Sequence, residues 1–479
     1  MREFEFFKEI SKIPRGSGNE KAIADYLVAF ADKRGLFCLR DDCNNVFIRR
    51  TASNGFEDRA PTLLQAHTDM VCEKELGSEH DFMTDEIKLV IKNGRVSASG
   101  TTLGGDDGAG VAVMLDILDD TSFEAGEIEC LFTSSEETGM EGAFGFDYTV
   151  INSERMINLD SEEELNACIG CAGGMRCNAE IPIERTRTEG KLYRIEVSGL
   201  AGGHSGMEID KGRQSAFELL AYTLDRLYSL YPLHIVDLVG GGRDNVIPPA
   251  ATATVAFYSE DDIKKAEAFV KQYHEEIKAT LSADDKRRFA MKMTKVKQCE
   301  SAPESMLTLK SSSNVISAIM LAPQGVSAST PDTHIVLASA NLGTLSLKSD
   351  KLHMGFLIRS GNRTYSDMTA ASIERMAHSL GGRSEIESSY PGWDFRTGGA
   401  MQNAYTEACE EVFGKKPIFT VIHAGLECGI ISSRLRENGK DPDIISIGPD
   451  VTEIHTPKES MDIDSLSRMN RLVRIMLLK

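Results

Sequence analysis

The chain has 479 residues, 41% hydrophobic and 26% charged, the composition of a globular protein too long for one ordinary core, so two or more domains are expected. Lys and Arg total 53 against 73 Asp and Glu, a net charge of −20; such a surface repels phosphate backbones and anionic bilayers, which argues against nucleic acid and membrane as partners. Ten cysteines follow no framework spacing, no basic and apolar leader is visible, and no apolar run reaches the length of a membrane span. Reduced thiols and a cytoplasmic location are therefore expected.

Ser17-Gly18-Asn19-Glu20 reads as a capping box ahead of a helix carrying Ile23, Leu27, Phe30 and Ala31. Strands are expected near 45–50, 62–66, 128–133 and 155–160. Between the second and third, Asp106-Asp107-Gly108 opens a helix with Val111, Leu115 and Leu118 on one face. This alternation predicts an α/β fold, a mostly parallel sheet with helices on both faces. Cys168 and Cys171 have the spacing of redox and zinc motifs, but they lack a second pair and sit in a Gly-rich turn, which weighs against both roles. After about residue 186 the rhythm changes. An alternating strand at 192–197 is followed by a helix at 213–229, strands at 233–239 and 251–257, and a polar helix at 262–280. The theme repeats with a helix at 309–321, strands at 334–339 and 343–359, and a helix at 364–380. A separate α+β domain, 187–386, built from two similar halves, is expected. From about 385 the α/β rhythm returns: a helix at 400–413, a strand at 443–447, and a closing helix with Ile463, Leu466, Met469 and Leu472.

Four strand-like segments run straight into a His or an acid: 63–67 into His67 and Asp69, 130–133 into Glu136 and Glu137, 156–159 into Asp160, and 444–447 towards His455. Parallel α/β sheets carry their ligands at the carboxyl ends of the strands. A lone acid at such a place is usually a cap or a solvated turn residue. His67, Asp106, Glu137, Asp160 and His455 together are the N and O donors of a divalent-ion site. A carboxylate with two oxygens can bridge two ions. Asp106 and the adjacent Asp107 both stand where Gly104, Gly105 and Gly108 permit a tight turn and a helix N-terminus favours an anion. Asp69 falls on the same side as His67 and can orient its imidazole. Of Glu136 and Glu137, one can bind metal while the other faces the bound water as general base. A site spanning residues 67–160 and 455 makes 1–186 and 387–479 one domain, with the middle inserted as a lid.

At these residues the chain resembles the di-zinc metallopeptidases that include carboxypeptidase G, the aminoacylases and the cytosolic dipeptidases. The matches are His67-Thr68-Asp69, Gly105-Asp106-Asp107-Gly108, Ser135-Glu136-Glu137, Asn158-Leu159-Asp160 and Ile454-His455. Thr102 to Gly110, Ile169 to Gly174, Gly202 to Gly206, Asn245 to Pro248, Ile422 to Gly429 and Ser446 to Pro449 extend the likeness, in order, to the aminoacyl-histidine dipeptidase branch. The resemblance implies a zinc-peptidase-like catalytic domain with two divalent ions, zinc first, with manganese and cobalt as alternatives. It implies that His67 and Asp160 hold one ion, Glu137 and His455 the other, and that Asp106 bridges. Glu136 would be the general base and Asp69 the orienting acid. In the lid, His204 would donate to the developing oxyanion, and Asn245 and Arg359 would contact the substrate. Gly425 is expected at the substrate, and Glu427 at its free amino group. The expected substrate is a small peptide, a dipeptide of Xaa-His or broader type, with an N-acyl amino acid or a tripeptide as the alternative. A homodimer joined through the lid is also implied, with His204 serving its own subunit or the partner.

Overall fold

The computed structural model describes residues 1–296, 305–331 and 333–479. It divides into two compact units: Met1–Cys171 with Trp393–Val421 and Leu426–Lys479, and Ala172–Gly392 with Ile422–Gly425.

The first unit is built on an eight-stranded sheet. Its order is Phe37–Arg40, Val46–Arg50, Ile128–Thr133, Thr62–His67, Arg155–Asn158, Asp443–Ser446, Asn166–Cys171 and Ile418–Ile422. The strands from Ile128–Thr133 to Asp443–Ser446 are parallel, and the outer pairings described are antiparallel. Thr62–His67 and Ile128–Thr133 are buried at every residue, as strands covered on both faces must be, which is why they read as apolar runs rather than alternating ones. Helices Arg2–Ile10, Gly105–Asp119 and Ile463–Leu477 pack on one another, and Gly105–Asp119 lies on the Thr62–His67 strand. The parallel register brings the ends of three strands level, with Thr62 beside Ile128 and Arg155. His67, Thr133 and Asn158 therefore finish at one edge.

The expected capping box is not formed. Helix Lys21–Arg34 begins after Glu20 without a side-chain cap. Ser17 and Glu20 are spent elsewhere, as described below. Nor do strands break at 340–342: Val336–Leu347 and Lys351–Ser360 form one long hairpin. It turns at the polar Lys348-Ser349-Asp350 stretch rather than at the small, apolar residues before it.

The second unit carries an antiparallel sheet of two halves. In chain order, one half has strands Lys191–Ser198, His234–Gly240, Ala251–Phe257 and Ala290–Lys295, with helices Ala216–Leu230 and Glu260–Thr280 after its first and third strands. The other has Gly173–Pro182, Val336–Leu347, Lys351–Ser360 and Arg383–Tyr390, with helices Leu309–Leu321 and Arg363–Ser379 in the same places. Read from each outer edge inwards, both run fourth, first, third, second, and they join through their second strands. The first half is thus inserted into the first connection of the other. Because Gly173–Pro182 and Arg383–Tyr390 pair within this sheet, the unit begins at 172 and ends at 392, outside the expected 187–386.

Candidate metal centre

The five expected ligands meet at the tips of the first unit's sheet. Asp106 lies between two imidazoles: its Oδ1 is 2.9 Å from His67 Nε2 and its Oδ2 is 3.1 Å from His455 Nε2. Asp160 Oδ1 stands 3.5 Å from His67 Nε2, and Glu137 Oε1 3.1 Å from His455 Nε2. Two donor groups result, His67–Asp106–Asp160 and Asp106–Glu137–His455, sharing Asp106. Glu136 joins His67 and Glu137 in a third cluster. Asp107 turns away: its Oδ1 accepts the Gly110 N–H at 3.0 Å, and its Oδ2 has no partner. The two adjacent acids are thus separated by direction, with Asp106 facing the histidines. The peptide between them is cis.

Asp69 ties several parts together. Its Oδ1 is 3.4 Å from His67 Nδ1 and accepts the Glu136 N–H at 3.0 Å, while Oδ2 accepts the Glu137 N–H at 3.2 Å and the Ser17 hydroxyl at 2.8 Å. Glu20 Oε1 accepts from the backbone and hydroxyl of Ser135, at 3.2 and 3.1 Å. Ser135 is left-handed, φ 55°, where the chain leaves its strand for the short helix Glu136–Gly139. The Ser17–Glu20 motif read as a helix cap therefore supports the two glutamates.

Several carboxyls crowd two imidazoles, and the electrostatics record it. Burial, then Asp160, push Asp107 well above the usual carboxyl range, and burial with neighbouring acids does the same to Asp160. Burial, then Glu427 and Glu137, push Glu136 to about 8 despite the opposing His67. His455 rises to about 10 because Asp106 and Glu137 accept from it. For His67, burial is outweighed by Asp160, Asp106 and Asp69, so its pKa also rises. Closely packed acids compensated by protons, two imidazolium charges and the buried Arg15 guanidinium are what a pair of divalent cations would neutralise. The donor set fits zinc, and equally manganese or cobalt.

Two groups missed from the sequence hold the Asp106 loop. Glu459 accepts the N–H groups of Leu103, Gly104 and Gly105 at 2.8, 3.1 and 2.7 Å. Arg15, buried, donates to the carbonyls of Thr68, Asp69 and Gly104 at 2.9, 3.2 and 2.5 Å. Both act on backbone, so no motif spacing announces them.

Glu427, expected at a substrate's amino group, is fully buried. Its Oε2 accepts from Gln65 Nε2 at 2.6 Å and Thr133 Oγ1 at 2.7 Å, and its Oε1 has no partner. Burial pushes its pKa to about 8. It lies beneath the strand tips and presents no carboxylate to a peptide.

In the second unit, His204 Nδ1 accepts the N–H groups of Gly206 and Met207 at 3.2 and 3.3 Å, and Nε2 lies 3.3 Å from Arg359 Nη2. Burial and Arg359 lower the His204 pKa. Arg359 is only 5% exposed and hydrogen-bonds Ser205, Tyr390 and His204, none of them an acid. A buried guanidinium with neutral neighbours favours an anion. Asn245 accepts the Ser205 N–H through its backbone carbonyl at 2.9 Å. A Cβ on Gly425 would stand 2.7 Å from the Tyr390 ring, so this glycine makes room for that ring. His423 Nε2 pairs with Ser339 Oγ at 2.7 Å, which the sequence reading did not single out.

Cys168 and Cys171 lie on the strand Asn166–Cys171, buried, and burial raises the Cys171 thiol to about 12. An unreactive thiol in a core strand is the plain reading. Among the described residues no cysteine is in a disulfide, and no helix is long and apolar enough to cross a membrane.

The sequence profile of peptidase family M20/M25/M40 matches residues 63–479. The chain belongs to this family. Among M20 relatives, it is 33% identical to the cytosol non-specific dipeptidase of Escherichia coli (strain K12) over 466 residues, covering 97% of this chain and 94% of that one. It superposes on the crystal structure of aminoacylhistidine dipeptidase from Vibrio alginolyticus with a TM-score of 0.92 at 32% identity, over 99% and 96% of the two chains. A tripeptidase from Staphylococcus aureus shares the fold at a TM-score of 0.55 and 16% identity, over 99% and 97%. This M20 metallopeptidase therefore has the family's α/β domain with its mostly parallel sheet.

Proposed function

We propose that the protein is a cytoplasmic dipeptidase that hydrolyses its peptide at a centre of two divalent ions, zinc first. The observation that carries this reading is the Asp106 carboxylate with one oxygen turned to each histidine. The full-length likeness to two dipeptidases supports the substrate class. His67, Asp160 and Asp106 would hold one ion, and Glu137, His455 and Asp106 the other.

When bound, the ions polarise the scissile carbonyl and lower the pKa of water towards about 7. Glu136 takes the proton from the attacking water as its oxygen adds to the carbonyl carbon. The same carboxyl then delivers a proton to the amine nitrogen as the C–N bond breaks. Asp69 keeps His67 in one orientation and fixes the backbone of Glu136 and Glu137. His204, set beside Arg359, would donate to the oxyanion from a ring N–H. Arg359 would pair with the terminal carboxylate of the dipeptide, with Asn245 and Gly425 lining the same subsite.

The decisive measurement is a hydrolysis panel of dipeptides, tripeptides and N-acetyl amino acids, run on metal-free protein reloaded with zinc, manganese or cobalt. Dipeptides should be turned over best. A preference for N-acetyl amino acids or tripeptides would replace the substrate assignment. Glu136→Ala should retain both ions and lose about 10²- to 10⁴-fold in kcat. Near-normal turnover at full occupancy would remove Glu136 as the base.

A further inference from the structure

The loop that presents Asp106 is held in an unusual way. Helix Gly105–Asp119 has Gly104 as its N-cap, left-handed at φ 70° and with no side chain to cap the first turn. A side chain there is sterically blocked, since a Cβ on Gly104 would lie 2.6 Å from Arg15 Nη2, and one on Gly108 2.5 Å from the same atom. The cap comes instead from Glu459, 355 residues downstream of Gly104 in sequence. Glu459 is 2% exposed. Its Oε2 accepts from Leu103 and Gly104, and its Oε1 from Gly105 and, at 3.4 Å, from Asp106. A carboxylate at a helix N-terminus is also favoured by the dipole. From the other side Arg15 takes the Gly104 carbonyl, and with its second nitrogen the carbonyls of Thr68 and Asp69. Arg15 thereby links the Asp106 loop to the His67–Asp69 segment. Glu459 also belongs to the turn of His455: its N–H bonds the Thr456 carbonyl at 3.1 Å, and Thr456 Oγ1 bonds the Glu453 carbonyl at 2.7 Å. His455 itself is held at φ 59°. One short turn thus carries both a donor of the second group and the grip on the shared donor.

We propose that Glu459, backed by Arg15, is a positioning residue that sets the Asp106 carboxylate in register with His455, so that filling the His455 half of the centre depends on it. The proposal rests on the two-ion reading of the site. Glu459 touches no donor atom and acts only through the backbone of the Asp106 loop and the His455 turn.

The test is a titration of metal-free protein with cobalt(II), read by calorimetry and by the visible absorption of the bound ion. Wild type should take two ions. Glu459→Gln keeps the shape but replaces one carboxylate oxygen by a donor that opposes the N–H groups facing it. It should bind the first ion nearly normally and the second at least about 10-fold more weakly, the size expected for loss of a partner behind the ligands. The absorption band should change on the second equivalent. Glu129→Gln is the control: Glu129 is equally buried and accepts the N–H groups of Asn152 and Ser153, away from the centre, so both ions should bind as in wild type. A folded Glu459→Gln with both affinities and the cobalt spectrum unchanged overturns the proposal. If that variant does not fold, Glu459→Asp, which keeps the charge but shortens the reach, takes its place with the same expectations. If neither folds while Glu129→Gln does, Glu459 is a folding determinant and the proposal fails. Wild type taking up fewer than two ions would overturn the two-ion reading itself, a result distinguishable because it appears before any substitution is made.

Discussion

Asp69 shows how much one carboxylate can organise: it faces the His67 imidazole, holds the backbone of both glutamates and accepts from Ser17. Asp69→Asn keeps the size but converts one oxygen into a donor, facing either the Glu136 N–H and the His67 imidazole or the Glu137 N–H and the Ser17 hydroxyl. Metal affinity should fall about 10- to 100-fold, and kcat at saturating metal should fall as well. Unchanged affinity in a calorimetric titration would reduce Asp69 to a packing role. Residues of this kind were legible in the sequence because each carries its chemistry in its own side chain and stands at a strand end. Arg15 and Glu459 were not, since they grip carbonyls and N–H groups whose identity no side chain reports. Ser17 and Glu20 were visible but misassigned: a capping box and a pair of long-range acceptor contacts use the same residue types, and only the tertiary partners Asp69 and Ser135 tell them apart.

At the level of elements, the parallel strands bearing the donors are laced together just behind their tips. Asn158 Nδ2 donates to Gln65 Oε1 at 2.7 Å, and Gln65 Nε2 donates to Thr133 Oγ1 at 3.0 Å and to Glu427 Oε2 at 2.6 Å. Glu427 arrives from the first turn of helix Glu427–Glu437. Its folded pKa of about 8 exceeds the unfolded value of about 4.3. The folded protein therefore holds a proton that the unfolded chain has released. The sign follows: this contribution to stability is complete below about pH 4.3 and is lost as pH rises through about 8. Glu427→Gln mimics the protonated form, so metal-free variant and wild type should be close in stability at pH 5. The variant should become the more stable of the two by pH 8.5, read from urea midpoints. A difference independent of pH would refute the buried proton. The central strands were legible as short apolar runs, whereas the 336–360 hairpin was not, because its small residues in mid-strand imitate a break.

For the whole molecule, the ions should stabilise the unit that supplies their donors. An ion at 100 times its dissociation constant adds about 2.7 kcal/mol, so a chelator should lower that unit's Tm by several degrees. Trp393, the chain's single tryptophan, is buried in the same unit, and its fluorescence reports the change. An identical Tm with and without chelator would mean that no ion is held. The two-part organisation was legible from the change of rhythm near residue 186, but its boundaries were not: Gly173–Pro182 and Arg383–Tyr390 belong to the second unit's sheet by pairing, and pairing leaves no mark on either strand alone. The repeat of that sheet's halves was read from the order of elements alone, since their residues differ, but the first strand of one half, Gly173–Pro182, was assigned to the other unit. The donors, too, are scattered, with His455 following Asp160 by roughly three hundred residues. At a synthesis rate of about 5–20 residues per second, His455 leaves the ribosome on the order of 15 to 60 s after Asp160. A nascent chain can offer His67, Asp106 and Asp160 during all that time but nothing to complete the second group. On the proposed ligand assignment, the His455 half of the centre would be the last to be completed, only once the chain is nearly finished.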